Sequence, residues 1–354
     1  MPTYLLIAGT RPEVIKLAPV AAALRKRGAT AEFCAVGQHG DLLQDALADF
    51  GEIPRYTVLP FQRGREPAPL LSQILELLPP LFREISPNAV IVQGDTTTAL
   101  GGALAAFYEK LPLIHVEAGL RTYLPTPFPE EAHRRMIAPL ANLHLCPTET
   151  DADALYQERV PGRIATTGNS GLDGLRLILA RPTPALPRWE GRVVLCTLHR
   201  RENIAKLPRF LHALGEISES IPDCTILFPS HPSPDLQKLT GEFGSLPRFQ
   251  ILPPLPYPVC AHLLPRLSLL LTDSGGLQEE AAFLGIPTLV LREKSERGDA
   301  PSLRIIGSDP QTMAEKAIFL LTHEEERARL CLSSTRYGDG HAADRMAEEI
   351  LAST

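Results

Sequence analysis

Three short stretches carry acidic residues whose spacing suits proton-transfer chemistry. Gly94-Asp95-Thr96-Thr97-Thr98 ends one apolar run, and His115-Val116-Glu117-Ala118-Gly119-Leu120-Arg121 ends the next. Pro129-Glu130-Glu131-Ala132-His133-Arg134 follows shortly after. Acids gathered at one sheet edge are candidates for general acid and base work. Crowding separates their pKa values, so one carboxyl stays protonated while another is ionised. Plainer roles compete: Asp95 as a helix cap, Glu117 as a partner for Arg121, Glu130 and Glu131 as ordinary first-turn acids. In the C-terminal half, Thr197-Leu198-His199-Arg200-Arg201-Glu202-Asn203 leaves another apolar run. A histidine there is a candidate acid/base or phosphate ligand, and His231 in Ser230-His231-Pro232 repeats the position one strand later.

Two further segments have the form of anion sites. Gly9-Thr10-Arg11-Pro12-Glu13 leads into the first helix, with Thr10 and Glu13 spaced as a capping box and Pro12 suited to a first turn. The sharper reading aims Arg11 and Lys16 at an anionic ligand. Asp273-Ser274-Gly275-Gly276-Leu277-Gln278-Glu279-Glu280-Ala281 joins an apolar strand to a helix. Two glycines there admit close backbone approach, and the N–H groups of a helix start attract a diphosphate. Glu280, one turn on, is placed to accept hydrogen bonds from ribose hydroxyls, and Arg297 in the next loop adds positive charge. Neither segment is a G-x-G-x-x-G or P-loop sequence, so NAD and ATP are not indicated.

The elements that must hold these residues read as α/β throughout. Strands are expected at 4–8, 32–36, 89–92, 113–116 and 143–146, with amphipathic helices at 14–25, 97–109 and 129–138 between them. After Thr166-Thr167-Gly168-Asn169 the pattern restarts. A helix at 172–179 and a Pro-rich loop at 181–187 precede strands at 193–196, 225–228, 269–272 and 288–291. Alternation of this kind predicts parallel sheets with helices on both faces. Two Rossmann-like domains facing a central cleft are expected, 1–169 with a returning C-terminal helix from about 336, and 170–335. Ligands of open α/β sheets bind beyond the carboxyl ends of the strands, where the motifs above fall.

At 354 residues the chain fits two such domains, and 44% hydrophobic with 21% charged residues suffices for full cores. A net charge of −6 argues against a general nucleic-acid or membrane surface. No apolar stretch reaches the roughly 20 residues of a membrane span. The N-terminal apolar run lacks a basic start and reads as a strand rather than a leader. Six scattered cysteines with no C-x-x-C pair predict free thiols in a reducing, cytoplasmic compartment and no metal cluster.

Taken together, GTRPEVIKLAP, QGDTTT, HVEAGLRT, PEE-x-x-R-R, TGN, HRREN and DSGGLQEEA, in this order from residue 9 to the loop around Glu296-Arg297, resemble the non-hydrolysing UDP-N-acetylglucosamine 2-epimerases. The resemblance implies a B-type glycosyltransferase-like architecture whose second domain mainly holds the nucleotide. It assigns Arg11, Lys16, His199, Ser274, Gly275, Gly276, Glu280 and Arg297 to UDP binding, and Asp95, Glu117 and Glu131 to catalysis. It implies a UDP-sugar substrate, no cofactor and a homodimer. Two segments depart from the family pattern. Pro258-Val259-Cys260 stands where a Leu-Pro-Phe contacts uracil, leaving base recognition to backbone groups or Tyr257. Gln38-His39-Gly40-Asp41-Leu42 stands where many bacterial members have a Gln-His-Arg-Glu-Met segment of an allosteric site. A glycosyltransferase of the same fold and a hydrolysing 2-epimerase are the competing readings.

Overall fold

The computed structural model describes residues 1–37, 41–59, 66–229, 248–294 and 297–353. The described chain divides into two compact units, Met1–Ile178 with Tyr337–Thr354, and Leu179–Arg336.

The first unit is built on a seven-stranded, wholly parallel sheet. Its strands are β1 (Thr3–Ala8), β2 (Thr30–Val36), β3 (Tyr56–Leu59), β4 (Ala89–Gln93), β5 (Leu113–Val116), β6 (Leu143–Cys146) and β7 (Arg163–Thr166), in the order β3-β2-β1-β4-β5-β6-β7. The central strands are apolar at nearly every position because both faces are covered. Alternate side chains divide between two cores. Tyr4, Leu6 and Ala8 pack with Val14 and Leu17 of helix Arg11–Lys26 and with Met346 and Ile350 of helix Ala342–Ser353. Leu5 and Ile7 pack with Leu70 and Ile74 of helix Pro67–Ile85 and with Ala99 and Ala103 of helix Thr97–Tyr108.

The boundary falls after Ile178 rather than at the expected 169, because helix Ser170–Leu179 is tied into the first unit. Ser170 Oγ donates to the Lys16 carbonyl at 2.7 Å. Asp173 accepts from the N–H groups of Ala342 and Ala343 at 3.1 and 3.0 Å, so a side chain on this helix caps the returning C-terminal one.

The second unit repeats the plan with six parallel strands: β8 (Arg192–Thr197), β9 (Cys224–Pro229), β10 (Phe249–Leu252), β11 (Leu269–Thr272), β12 (Thr288–Val290) and β13 (Leu303–Ile305), ordered β10-β9-β8-β11-β12-β13. Val194, Cys196, Ile226 and Leu271 form its core with Phe210 and Leu214 of helix Leu207–Ser220 and Met313 of helix Pro310–Thr322. Strand order reverses between β1 and β4 in the first sheet, and between β8 and β11 in the second. Each reversal opens a crevice at the strands' carboxyl ends, where a ligand fits.

All six cysteines are free thiols, and burial pushes Cys34 up to about 12. No helix among the described residues is long and apolar enough to cross a membrane.

Candidate active site

At the crevice of the first unit, the three candidate carboxylates sit on neighbouring elements, each against a buried cation. Glu117 follows β5 directly. Both its oxygens lie 2.6 Å from Lys16 Nζ, and Gln93, the last residue of β4, also donates to it. Lys16 and Glu117 are both buried. Lys16, expected at a phosphate, is thus placed with the carboxylates. Arg121, the plainer partner considered for Glu117, instead grips Glu158 with two hydrogen bonds of 2.8 Å. Glu117 has φ +63, a left-handed conformation costing a non-glycine residue about 1 kcal/mol or more. Such strain persists where surrounding contacts fix the residue, here the Lys16 and Gln93 bonds and the adjacent Ala118 N–H to Leu145 carbonyl.

Asp95 and Glu131 share one guanidinium. Arg134 Nε donates to Asp95 Oδ2 at 2.6 Å, and its Nη1 to Glu131 Oε2 at 3.1 Å. Glu131 also accepts from the backbone N–H groups of Thr122 and Tyr123, at 3.0 and 3.1 Å, fixing the loop beyond β5. Asp95 does not cap the next helix. Thr96 does, accepting from Ala99 N–H. Gly94, at φ +69, makes the turn that delivers Asp95, and a Cβ built on it would lie 3.5 Å from Glu117 Oε2. The two acids therefore leave adjacent strands side by side. His115 stays neutral beneath them. Burial pushes its imidazole down to about 4, and its Nε2 sits 2.8 Å from the Gly94 carbonyl.

Glu13 joins the β1 and β4 loops. Its Oε2 accepts from Gly9 N–H at 2.9 Å and Thr10 Oγ1 at 2.8 Å, and its Oε1 from Thr96 Oγ1 at 2.6 Å. Thr10 donates to this carboxyl and makes no side-chain cap, so the expected capping box is only half formed. Glu13 is fully buried, and that burial raises its pKa to about 7.

The second unit holds most of the residues considered for anion binding. Ser274 caps helix Gly275–Leu284, its hydroxyl accepting from Leu277 N–H at 3.5 Å. A Cβ on Gly275 would lie 3.2 Å from Arg297 Nε and 3.7 Å from an Arg292 terminal nitrogen, so two guanidinium groups flank this helix start. A Cβ on Gly276 would meet nothing within 4 Å, leaving the backbone open to a ligand. Arg297 is held by the buried Glu279 at 2.7 Å. Glu280 Oε1 accepts from the Tyr257 hydroxyl at 2.8 Å, which links the two residues considered for nucleoside contacts. Cys260, in the departing segment, lies one turn along helix Tyr257–Leu263. His199 Nδ1 lies 2.7 Å from Asp273 Oδ1 with its side chain half-exposed.

Asp95, Glu117, Glu131, Arg11 and Lys16 thus belong to the first unit, and His199, Ser274, Gly275, Gly276, Glu280 and Arg297 to the second. His231, Gln38–Gly40 and Glu296 lie outside the described residues. Four residues given no role in the sequence reading, Gln93, Arg134, Asp273 and Arg292, and Glu13, expected only as half of a capping box, hold the site together. A strand-end position was available for Gln93 and Asp273, but their partners come from distant parts of the chain.

Comparison with known proteins gives a consistent picture. Residues 22–351 match the sequence model of a family described as UDP-N-acetylglucosamine 2-epimerase. The chain is 37% identical to the UDP-N-acetylglucosamine 2-epimerase of Escherichia coli K12, covering 98% of this chain and 97% of that one. It is 36% identical to the Bacillus subtilis enzyme of the same name, over 98% and 94%. The crystal structure of UDP-GlcNAc 2-epimerase from Neisseria meningitidis, bound to UDP-GlcNAc, matches with a TM-score of 0.92 at 32% identity, covering 99% of this chain and all of that one. A glycosyltransferase of kitacinnamycin, with a TM-score of 0.63 at 16% identity, shares the fold alone. On the extent of these matches, the chain belongs to the UDP-N-acetylglucosamine 2-epimerase family.

Proposed function

We propose that this chain interconverts UDP-N-acetylglucosamine and UDP-N-acetylmannosamine by eliminating UDP and adding it back, without releasing free sugar. The observation that carries the reading is the set Asp95, Glu117 and Glu131, held by Lys16 and Arg134 at the crevice of the first unit. Family membership supplies the substrate class. Carbon 2 of the sugar is not next to a carbonyl, so direct deprotonation is too costly. Breaking the bond from carbon 1 to the diphosphate oxygen, with the electron pair leaving on UDP, develops positive charge at carbon 1 and acidifies carbon 2. A carboxylate then takes that proton, and the C–H electrons close a double bond between carbons 1 and 2. Return of a proton to the opposite face, with attack of the UDP oxygen at carbon 1, gives the epimer. Atoms and electrons balance without an oxidant or reductant.

The roles follow from the chemistry. Two of the three carboxyl groups serve the two faces of carbon 2. Lys16 and Arg134 hold them, and Gly94 and the strained Glu117 backbone fix their direction. Departing diphosphate gains negative charge, which the helix start at Ser274–Gly276, Arg297 and His199 stabilise. Glu280 accepts from the ribose hydroxyls. A homodimer, as the resemblance implies, is the proposed assembly, tested by sedimentation.

The test uses UDP-N-acetylglucosamine carrying 18O between carbon 1 and the diphosphate. Elimination predicts that the label scrambles into the non-bridging oxygens of the β-phosphate while UDP-N-acetylmannosamine accumulates. Label that stays bridging during epimerisation rules out elimination. Release of UDP with free N-acetylmannosamine identifies a hydrolysing enzyme instead.

A further inference from the structure

Asp273 is fully buried at the end of β11, and His199, Arg200 and Asn203 all direct donors at its carboxylate. Oδ1 faces His199 Nδ1 at 2.7 Å, both oxygens lie 3.2 Å from His199 N–H, and Oδ2 accepts from Arg200 N–H at 3.1 Å and Asn203 Nδ2 at 2.9 Å. Its backbone carbonyl accepts from Arg292 Nε at 2.7 Å. We propose that Asp273 is the positioning residue for His199, fixing the ring so that Nε2 is presented to the substrate's diphosphate. This rests on the reading of the second unit as the diphosphate-binding half of the epimerase.

An ionised carboxylate only accepts, so each of its partners must donate. Burial raises the Asp273 pKa, but the bonds from His199, Asn203 and Arg200 more than offset this and leave it below the ordinary aspartate value. His199 Nδ1 therefore carries a proton, and the neutral ring is the Nδ1–H tautomer. The other nitrogen, Nε2, lies on the far edge of a half-exposed side chain. In the imidazolium both nitrogens donate, Nδ1–H to Asp273 and Nε2–H to a diphosphate oxygen as negative charge builds. A donor held in place before the reaction costs no reorganisation when the bond breaks. The backbone carbonyl of the same residue aligns Arg292, so this one position orders both the imidazole and one of the guanidinium groups beside the helix start. A purely structural role would consist of tying the β8 loop to β11 through the two backbone N–H bonds. It would be indifferent to the imidazole.

The tautomer is read by long-range 1H–15N NMR of the ligand-free full chain labelled at histidine nitrogens, with His199 assigned from the His199→Gln variant. The wild type is expected to show a protonated Nδ1 in its neutral form. Asp273→Asn, whose amide donates to Nδ1, is expected to shift the ring to the Nε2–H form. Its kcat should fall on the order of 100-fold with UDP affinity changed less than about threefold. Added to His199→Gln, the same change should cost less than about threefold in kcat. An Nε2–H tautomer in the wild type overturns the proposal, as does an Asp273→Asn loss that is the same with and without His199. Should that variant fail to fold, the wild-type tautomer still decides. A wild type that binds UDP but epimerises nothing would sink the proposed function while leaving the tautomer result intact.

Discussion

For the proposed proton transfer a carboxylate must be aimed without being neutralised, and in the first unit a cation lies behind each candidate acid. Replacing Asp95 with Asn, or Glu117 with Gln, keeps the shape and much of the hydrogen bonding. Each should lower kcat by about 100-fold or more while UDP affinity, measured by calorimetry, changes little. Lys16→Met separates two readings of that lysine. Paired with Glu117, its loss leaves a buried charge uncompensated and should cost about 3 kcal/mol of unfolding free energy, with kcat falling. A lysine serving only the diphosphate would instead weaken UDP binding and leave stability unchanged. Glu13 gives a pH signature. Its folded pKa of about 7 stands above the ordinary 4.5, so the folded chain holds this proton more tightly. The stabilisation is complete below about pH 4.5 and is lost as pH rises through 7. Between those limits, the wild-type unfolding free energy should drop relative to Glu13→Gln by on the order of 3 kcal/mol, as urea titrations would show. The acids themselves were legible in the sequence because they sit at strand ends. Their partners were not, since Lys16 meets Glu117 across 101 positions and Arg134 meets Asp95 across 39.

At the scale of elements, legibility followed burial. The nine strands expected from apolar runs are all present, and those completing the two sheets, β3, β7, β10 and β13, were not foreseen. All four are edge strands. Arg163–Thr166 is exposed or only half-buried along its whole length, and Leu303–Ile305 exposes two of its three residues. With one neighbour and one covered face, such a strand needs no continuous apolar run. The Thr10–Glu13 spacing marked the start of the first helix correctly but not the bonds there, because Glu13 was drawn to Thr96 on another element. The boundary at 169 missed the following helix for a similar reason: Asp173 faces the chain's last helix, a contact of 170 positions' separation. Asp173→Ala should therefore loosen helix Ala342–Ser353, costing about 1–2 kcal/mol and speeding amide exchange at Ala342 and Ala343. Unchanged exchange there would show that the helix start is satisfied by other groups.

Over the whole molecule, the same doubly wound plan appears twice and is put to different uses. The first unit gathers carboxylates at its strand reversal, and the second gathers Arg292, Arg297 and a capped helix start at its own. A chain of net charge −6 thus concentrates positive potential locally, where the proposed function needs a diphosphate site. The proposed elimination assigns proton transfer to the first set and leaving-group stabilisation to the second. The most direct test is to incubate the full chain with UDP-N-acetylglucosamine in D2O, with no acceptor present, and follow carbon 2 by NMR. The account predicts deuterium at carbon 2 of UDP-N-acetylmannosamine and of recovered substrate, and no more than traces of deuterium in either with the Asp95→Asn and Glu117→Gln variants. Carbon 2 that keeps its proton while UDP is released or sugar is transferred would contradict it.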